Sequence, residues 1–164
     1  MAIFNKIRTA QSMTTTTTPL DARSAPICSA SNATPLKVLV VEDDAAMLRL
    51  YQTVLSAWPM PLELALVNNG IDALFKMRRM QPDLLVLDLK IPGVDGMKVL
   101  KETMWQAAVT TVVVTGLDED RIHDLGGIPF GVEVLSKPVP FARLMAIAQK
   151  IIAARCPATD QVSV

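Results

Sequence analysis

Four places in this 164-residue chain set a reactive side chain directly after, or at the end of, an apolar run. Glu42-Asp43-Asp44 follow Leu36 to Val41, Asp88 follows Leu84 to Leu87, Thr115 closes Thr110 to Thr115, and Lys137 comes soon after Val132 to Leu135. Three adjacent carboxylates repel one another and call for a cation. An oxygen cluster with open water positions suits Mg²⁺, which takes one or two carboxylates and keeps waters. Beside such an ion Asp88 is a nucleophile for a phosphoryl group, because carboxylates form acyl phosphates as covalent intermediates. Phosphoryl transfer is mainly positioning and charge neutralisation. The metal would take one phosphoryl oxygen, the Lys137 ammonium a second, and the Thr115 hydroxyl with a nearby backbone N–H the third. Before any transfer, Lys137 can pair with Asp88 as a point charge. Each residue alone reads as a cap, a turn residue or a salt bridge; four such positions at four strand ends read as one pocket.

The elements that must position them alternate. Leu36 to Val41 and Leu62 to Val67 are strands by their β-branched and apolar content, and Leu84 to Leu87 is apolar on both faces, as in a parallel sheet. Thr110 to Thr115 and Val132 to Leu135 complete five. Helices are expected over Ala45 to Ala57, from Gly70 to near Met80, Gly96 to about Gln106, two turns at most within Asp118 to Leu125, and Phe141 to Ala154. Asp44 can cap the first. Ile71, Leu74, Phe75 and Met77, then Met97, Leu100 and Met104, are expected in the core, with Lys76, Arg78 and Arg79 solvated. Strict alternation implies an α/β fold: a doubly wound, flavodoxin-like (βα)5 parallel sheet with right-handed crossovers. In the order 2-1-3-4-5 the polar strand ends are neighbours, at the carboxyl edge where such sheets bind ligands.

Composition excludes several classes. Sixteen basic residues balance sixteen acidic ones, so no global field favours nucleic acid or an anionic membrane. Hydrophobic residues make up 51%, but none of their runs approaches the roughly 18 residues of a membrane span. Cys28 and Cys156 lie near opposite ends without metal-ligand spacing, which suggests a reducing compartment and a cytoplasmic protein. Residues 1–35, with the threonine run Thr14 to Thr18, read as a disordered or low-complexity extension, 36–155 as the folded domain and 156–164 as a tail. Lys6, Arg8 and Arg23 against Asp21 resemble a transit peptide only faintly, and Met13 is a possible internal start.

From 36 to about 155 the chain resembles the receiver domain of two-component response regulators. The resemblance is carried by VLVVEDD, LLVLDLKIPGVDG, VVVTG and LSKP. It implies that Asp88 accepts a phosphoryl group from the phosphohistidine of a sensor kinase or histidine phosphotransfer protein, and that the domain catalyses its own dephosphorylation. It further implies that Asp43 and Asp88 ligate Mg²⁺ directly, Glu42 through water and Lys90 through its backbone carbonyl, while Thr115 and Lys137 bind the phosphoryl oxygens.

Three features depart from the family pattern. Val134 stands where receivers usually carry an aromatic coupled to the hydroxyl residue. The stretch from Asp88 to Thr115 is slightly short, and the fourth helix is short and ends in two glycines, so this region should have low local stability. Lys90, two residues after Asp88, can overhang the site and hold the phosphoryl group or obstruct the attacking water. Lys90 also argues against a haloacid-dehalogenase-type phosphatase, which needs a second Asp at that position. A phosphorylation-independent docking module would be expected to lose Asp88, Lys137 or the acidic cluster, and all are present. His123, Glu133 and Asp95 read as surface or structural residues. With no DNA-binding or catalytic segment expected after the last helix, output should pass through protein contacts, to a downstream target or a homodimer. The face of the fourth helix, fifth strand and fifth helix would serve, where Ala142, Ala146, Ile147, Ala153 and Ala154 are expected to point outward.

Overall fold

The computed structural model describes residues 34–92, 94–105 and 108–155. The readings of residues 1–33 and 156–164, including Cys28, Cys156, Met13 and the basic residues before Arg23, lie outside the described residues, as does the expected end of a helix at Gln106. Five strands and five helices alternate: β1 Leu36–Val41, α1 Ala45–Ser56, β2 Leu62–Val67, α2 Gly70–Met80, β3 Leu84–Leu87, α3 Gly96–Thr103, β4 Thr110–Thr115, α4 Glu119–Asp124, β5 Glu133–Ser136 and α5 Phe141–Arg155. All pairings are parallel, in the order β2-β1-β3-β4-β5, so the α/β, doubly wound, flavodoxin-like expectation holds.

Strand alternation divides the core in two. Leu36, Val38 and Val40 of β1, Leu84 and Val86 of β3, and Val112 and Val114 of β4 face α1 and α5, where they meet Tyr51, Leu55, Leu144 and Ala148. Leu39, Val41, Leu85, Leu87 and Val113 face α2 and α3, against Ala73, Met77, Met97 and Leu100. All four residues of β3 are buried, as a strand covered on both sheet faces must be.

Side chains that prefer caps start the helices. The Asp44 carboxylate accepts from the backbone N–H of Ala46 at 2.6 Å and Met47 at 3.2 Å, Asn69 from Asp72 at 2.9 Å, Asp95 from Met97 at 3.0 Å and Asp118 from Arg121 at 2.8 Å. Asp95 is thus structural, as expected. Two glycines let the loop after β3 lie close: a Cβ on Gly70 would stand 2.4 Å from the Val94 carbonyl oxygen, and one on Gly96 2.7 Å from the Leu89 carbonyl oxygen.

Some side-chain expectations are overturned. Ile71 and Phe75 stand in solvent, 51% and 65% exposed, because the buried stripe of α2 runs through Ala73, Met77 and Met80 instead. Met104 is also exposed, since α3 stops at Thr103 before another turn can carry it inward. Conversely, Ile147 is buried with Leu144 and Ala148 on the core face of α5 and does not point outward.

Candidate functional site

Glu42 and Asp88 each stand one residue past a central strand. The Glu42 N–H donates to the Val67 carbonyl at 3.1 Å and the Asp88 N–H to the Val41 carbonyl at 2.9 Å, so the ladder continues just far enough to fix both backbones. By alternation, Glu42 extends the row Leu36, Val38, Val40, and Asp88 extends Leu84, Val86. Both carboxylates are consequently buried.

Lys137 reaches them from the far side of the sheet. Its backbone N–H donates to the Thr115 carbonyl at 3.0 Å, tying the end of β5 to the end of β4. Its Nζ donates to Asp88 Oδ2 at 2.6 Å and to the two Glu42 oxygens at 2.8 and 3.0 Å. One ammonium therefore bridges two buried carboxylates from β1 and β3. The other Asp88 oxygen, Oδ1, accepts the Lys90 backbone N–H at 3.0 Å. The Lys90 side chain is exposed. Thr115 is buried at the end of β4, where its Oγ1 accepts the Leu117 N–H at 3.3 Å.

The electrostatics follow from burial. Desolvation raises the Glu42 carboxyl above its ordinary range, an effect that the hydrogen bonds and charge of Lys137 offset only in part. Burial alone would lower the Lys137 ammonium, but its bonds to Asp88 and Glu42 and their charges together hold it above its ordinary value. Tyr51, read from the sequence only as core, lies under this site on the α1 side and packs edge-on against Phe141 at 5.4 Å between ring centres. Burial first, then the fields of Glu42 and Asp88, push its phenol upward. The sequence carries no signal for this placement, because only the fold decides that α1 covers the face of β1 and β3 from which Glu42 and Asp88 extend.

Glu42, Asp43 and Asp88 each offer a carboxylate oxygen, and these oxygens all lie within 4.8 Å of one another. Asp44 is spent on capping α1 and does not join them. Such an all-oxygen set, with Asp43 open to solvent, fits a hard divalent cation. His123 is exposed on α4, and Glu133 pairs with Arg143 at 2.6 Å, so both stay outside the site, as expected. Val134 is 40% exposed on β5, and no aromatic takes its place there.

Residues 38–149 match the family described as the response regulator receiver domain. The chain belongs to that family. Among curated proteins, the receiver is 34% identical over 123 residues to protein-glutamate methylesterase/protein-glutamine glutaminase 5 of Myxococcus xanthus, an alignment covering 73% of this chain and 35% of that protein. The chain thus spans about a third of the length of the first curated relatives it matches. Among solved structures, the phosphorylated cyanobacterial phytochrome response regulator RcpA superposes with a TM-score of 0.55 at 29% identity, covering 72% of this chain and 91% of that one. A response regulator in its Mn²⁺-bound form gives a TM-score of 0.53 at 26% identity, covering 79% and 99%. Membership in this family places the receiver in two-component signal transduction. No helix among the described residues is long and apolar enough to cross a membrane.

Proposed function

We propose that this receiver is a phosphorelay component that takes a phosphoryl group on Asp88 and signals through contacts of its own surface. The observation that carries the reading is the Lys137 ammonium, 2.6 Å from Asp88 Oδ2 and bonded to Glu42, which unites three strand ends in one pocket. The donor is the phosphohistidine of a sensor kinase or a histidine phosphotransfer protein. An Asp88 oxygen attacks phosphorus, the P–N bond breaks, and its electron pair leaves on the imidazole nitrogen. Glu42, Asp43 and Asp88, with the Lys90 carbonyl, would hold Mg²⁺, which supplies positive charge against the phosphoryl oxygens when bound. Lys137 neutralises a second oxygen, and the Thr115 hydroxyl donates to a third. Autodephosphorylation reverses the bond: water adds to phosphorus, the Asp88 oxygen leaves, and orthophosphate departs. The Mn²⁺-bound and phosphorylated forms known for two structural relatives support this chemistry.

The output face is α4, β5 and α5. Ile147 lies in the core, but Ala142, Ala153 and Ala154 of α5 are exposed as expected, and the large exposed apolar residues of this region are Leu125, Val134 and the fully exposed Phe130. Such a surface suits a protein contact, with a downstream target as its simplest occupant. The setting is the cytoplasm, where the kinase phosphohistidine is made.

Incubating the full chain with acetyl phosphate or phosphoramidate and Mg²⁺, followed by intact mass, tests the reading. Wild type should gain one phosphoryl group and Asp88→Asn none. An unmodified wild type, or equal labelling of both, would reject it.

A further inference from the structure

The two edges of the sheet are not alike. β5 is four residues long, and its Glu133 is tied to Arg143. β2 is six residues long with the sequence LELALV, of which Glu63 is the one charged residue. Long apolar edges are ordinarily shortened, charged or covered, because their unpaired N–H and C=O groups template another strand. The Pro61 and Val67 carbonyls point to β1, accepting from Leu36 at 2.9 Å and Glu42 at 3.1 Å. By strand alternation the N–H and C=O groups of Leu62, Leu64 and Leu66 point the other way, off the sheet. No hydrogen bond to any other described residue satisfies them.

Along this edge runs a groove of ≈ 880 Å³, walled by β2 and by Asp72, Phe75, Lys76 and Arg79 of α2. Phe75 is 65% exposed beside it, and neither Lys76 nor Arg79 makes an ion pair among the described residues.

We propose that this edge is a self-association surface, on which a second copy of the chain adds its own β2 antiparallel about a two-fold axis. The outward-facing residues dictate the register. Leu64 meets Leu64 of the second copy on the axis, and Leu62 meets Leu66 on either side. Each such pair exchanges both its N–H···O=C bonds, about six bonds in all. Glu63 then lies opposite the small Ala65, and the two sheets become one.

Charge complementarity favours a second copy over an unrelated strand. Asp72 and Arg79 lie about 10 Å apart along α2, at roughly 1.5 Å per residue. A two-fold axis runs the α2 helices in opposite directions, so Asp72 of each copy comes level with Arg79 of the other. Phe75 lies midway between them, near the axis. A C2 contact needs this self-complementary pattern, with acid and base on either side of an apolar centre.

Sedimentation velocity of the full chain over a concentration series, with amide hydrogen exchange at both extremes, tests this. A reversible dimer is expected, with the amides of Leu62, Leu64 and Leu66 slowing as concentration rises while those of Glu63 and Ala65, already bonded to β1, do not change. Arg79→Asp, on an exposed position, should weaken dimerisation about tenfold, since it turns two attractions into two repulsions. Asp72→Arg added to Arg79→Asp should restore it. A monomer at every concentration overturns the proposal. So does a dimer that ignores Arg79→Asp and leaves the outward amides fast, which places self-association on another face. Slow outward amides in a monomer also overturn it, since a segment of the same chain then covers the edge.

Discussion

Replacing Lys137 by methionine keeps the length of the side chain and removes the ammonium that bridges Asp88 and Glu42. Those carboxylates are 5% and 2% exposed, so neither can turn to bulk water for its lost partner. Removing one member of a fully buried ion pair costs about 3–5 kcal/mol. Lys137 is 27% exposed, and water admitted beside it lowers the cost to about 2–3 kcal/mol. At roughly 4 °C per kcal/mol for a domain of this size, the midpoint of thermal unfolding should fall by about 10 °C. Urea unfolding in chelator should show the loss at unchanged m. Adding Glu42→Gln and Asp88→Asn to Lys137→Met should recover most of it, because no unpaired buried charge then remains. A Lys137→Met loss below about 0.5 kcal/mol would refute the reasoning, as would a triple variant no more stable than the single one.

Three further outcomes are expected. Gly96→Ala should cost about 1–3 kcal/mol in urea unfolding and slow phosphorylation of Asp88, because a Cβ there would stand 2.9 Å from the Asp88 carbonyl oxygen and must displace that segment. Stability should fall as pH rises past about 10. Lys137 and Tyr51, with ordinary values of 10.5 and 10.0, are both raised in the fold, so the unfolded chain loses their protons first and is favoured at high pH. Tyr51→Phe should flatten that limb of the profile, and an unchanged slope would contradict the assignment. Lys90→Ala retains the backbone N–H to Asp88 and should shorten the acyl-phosphate lifetime, followed by loss of the phosphoryl mass; an unchanged lifetime rejects a role for the side chain.

The strand ends were legible because burial on both faces leaves little choice: Leu84 to Leu87 can only be an interior strand, and the residue after it must emerge at the sheet's carboxyl edge. Asp44 as a cap and Asp95 as a structural residue were readable from local chemistry alone. The helix faces were harder. Ile71 and Phe75 share helical spacing with Met77, but a stripe through Ala73, Met77 and Met80 competes with theirs, and only the position of β1 and β3 decides between them. The same ambiguity placed Ile147 outside, whereas Leu144, Ile147 and Ala148 form the buried face of α5. Tyr51 was legible as core but not as a neighbour of the site, because its relation to Glu42 and Asp88 depends on which sheet face α1 covers.

The Lys137–Glu42 bond joins positions 95 residues apart, and the bond from Lys137 to Asp88 spans 49. A closure of that length is entropically late, formed only after the strands between have docked. A nascent receiver whose fifth strand is still inside the ribosome holds two carboxylates with no ammonium between them. Under the proposed function, the complete phosphoryl-binding pocket therefore arrives only with the last elements of the chain, and a half-made copy lacks the ammonium that would neutralise the incoming group.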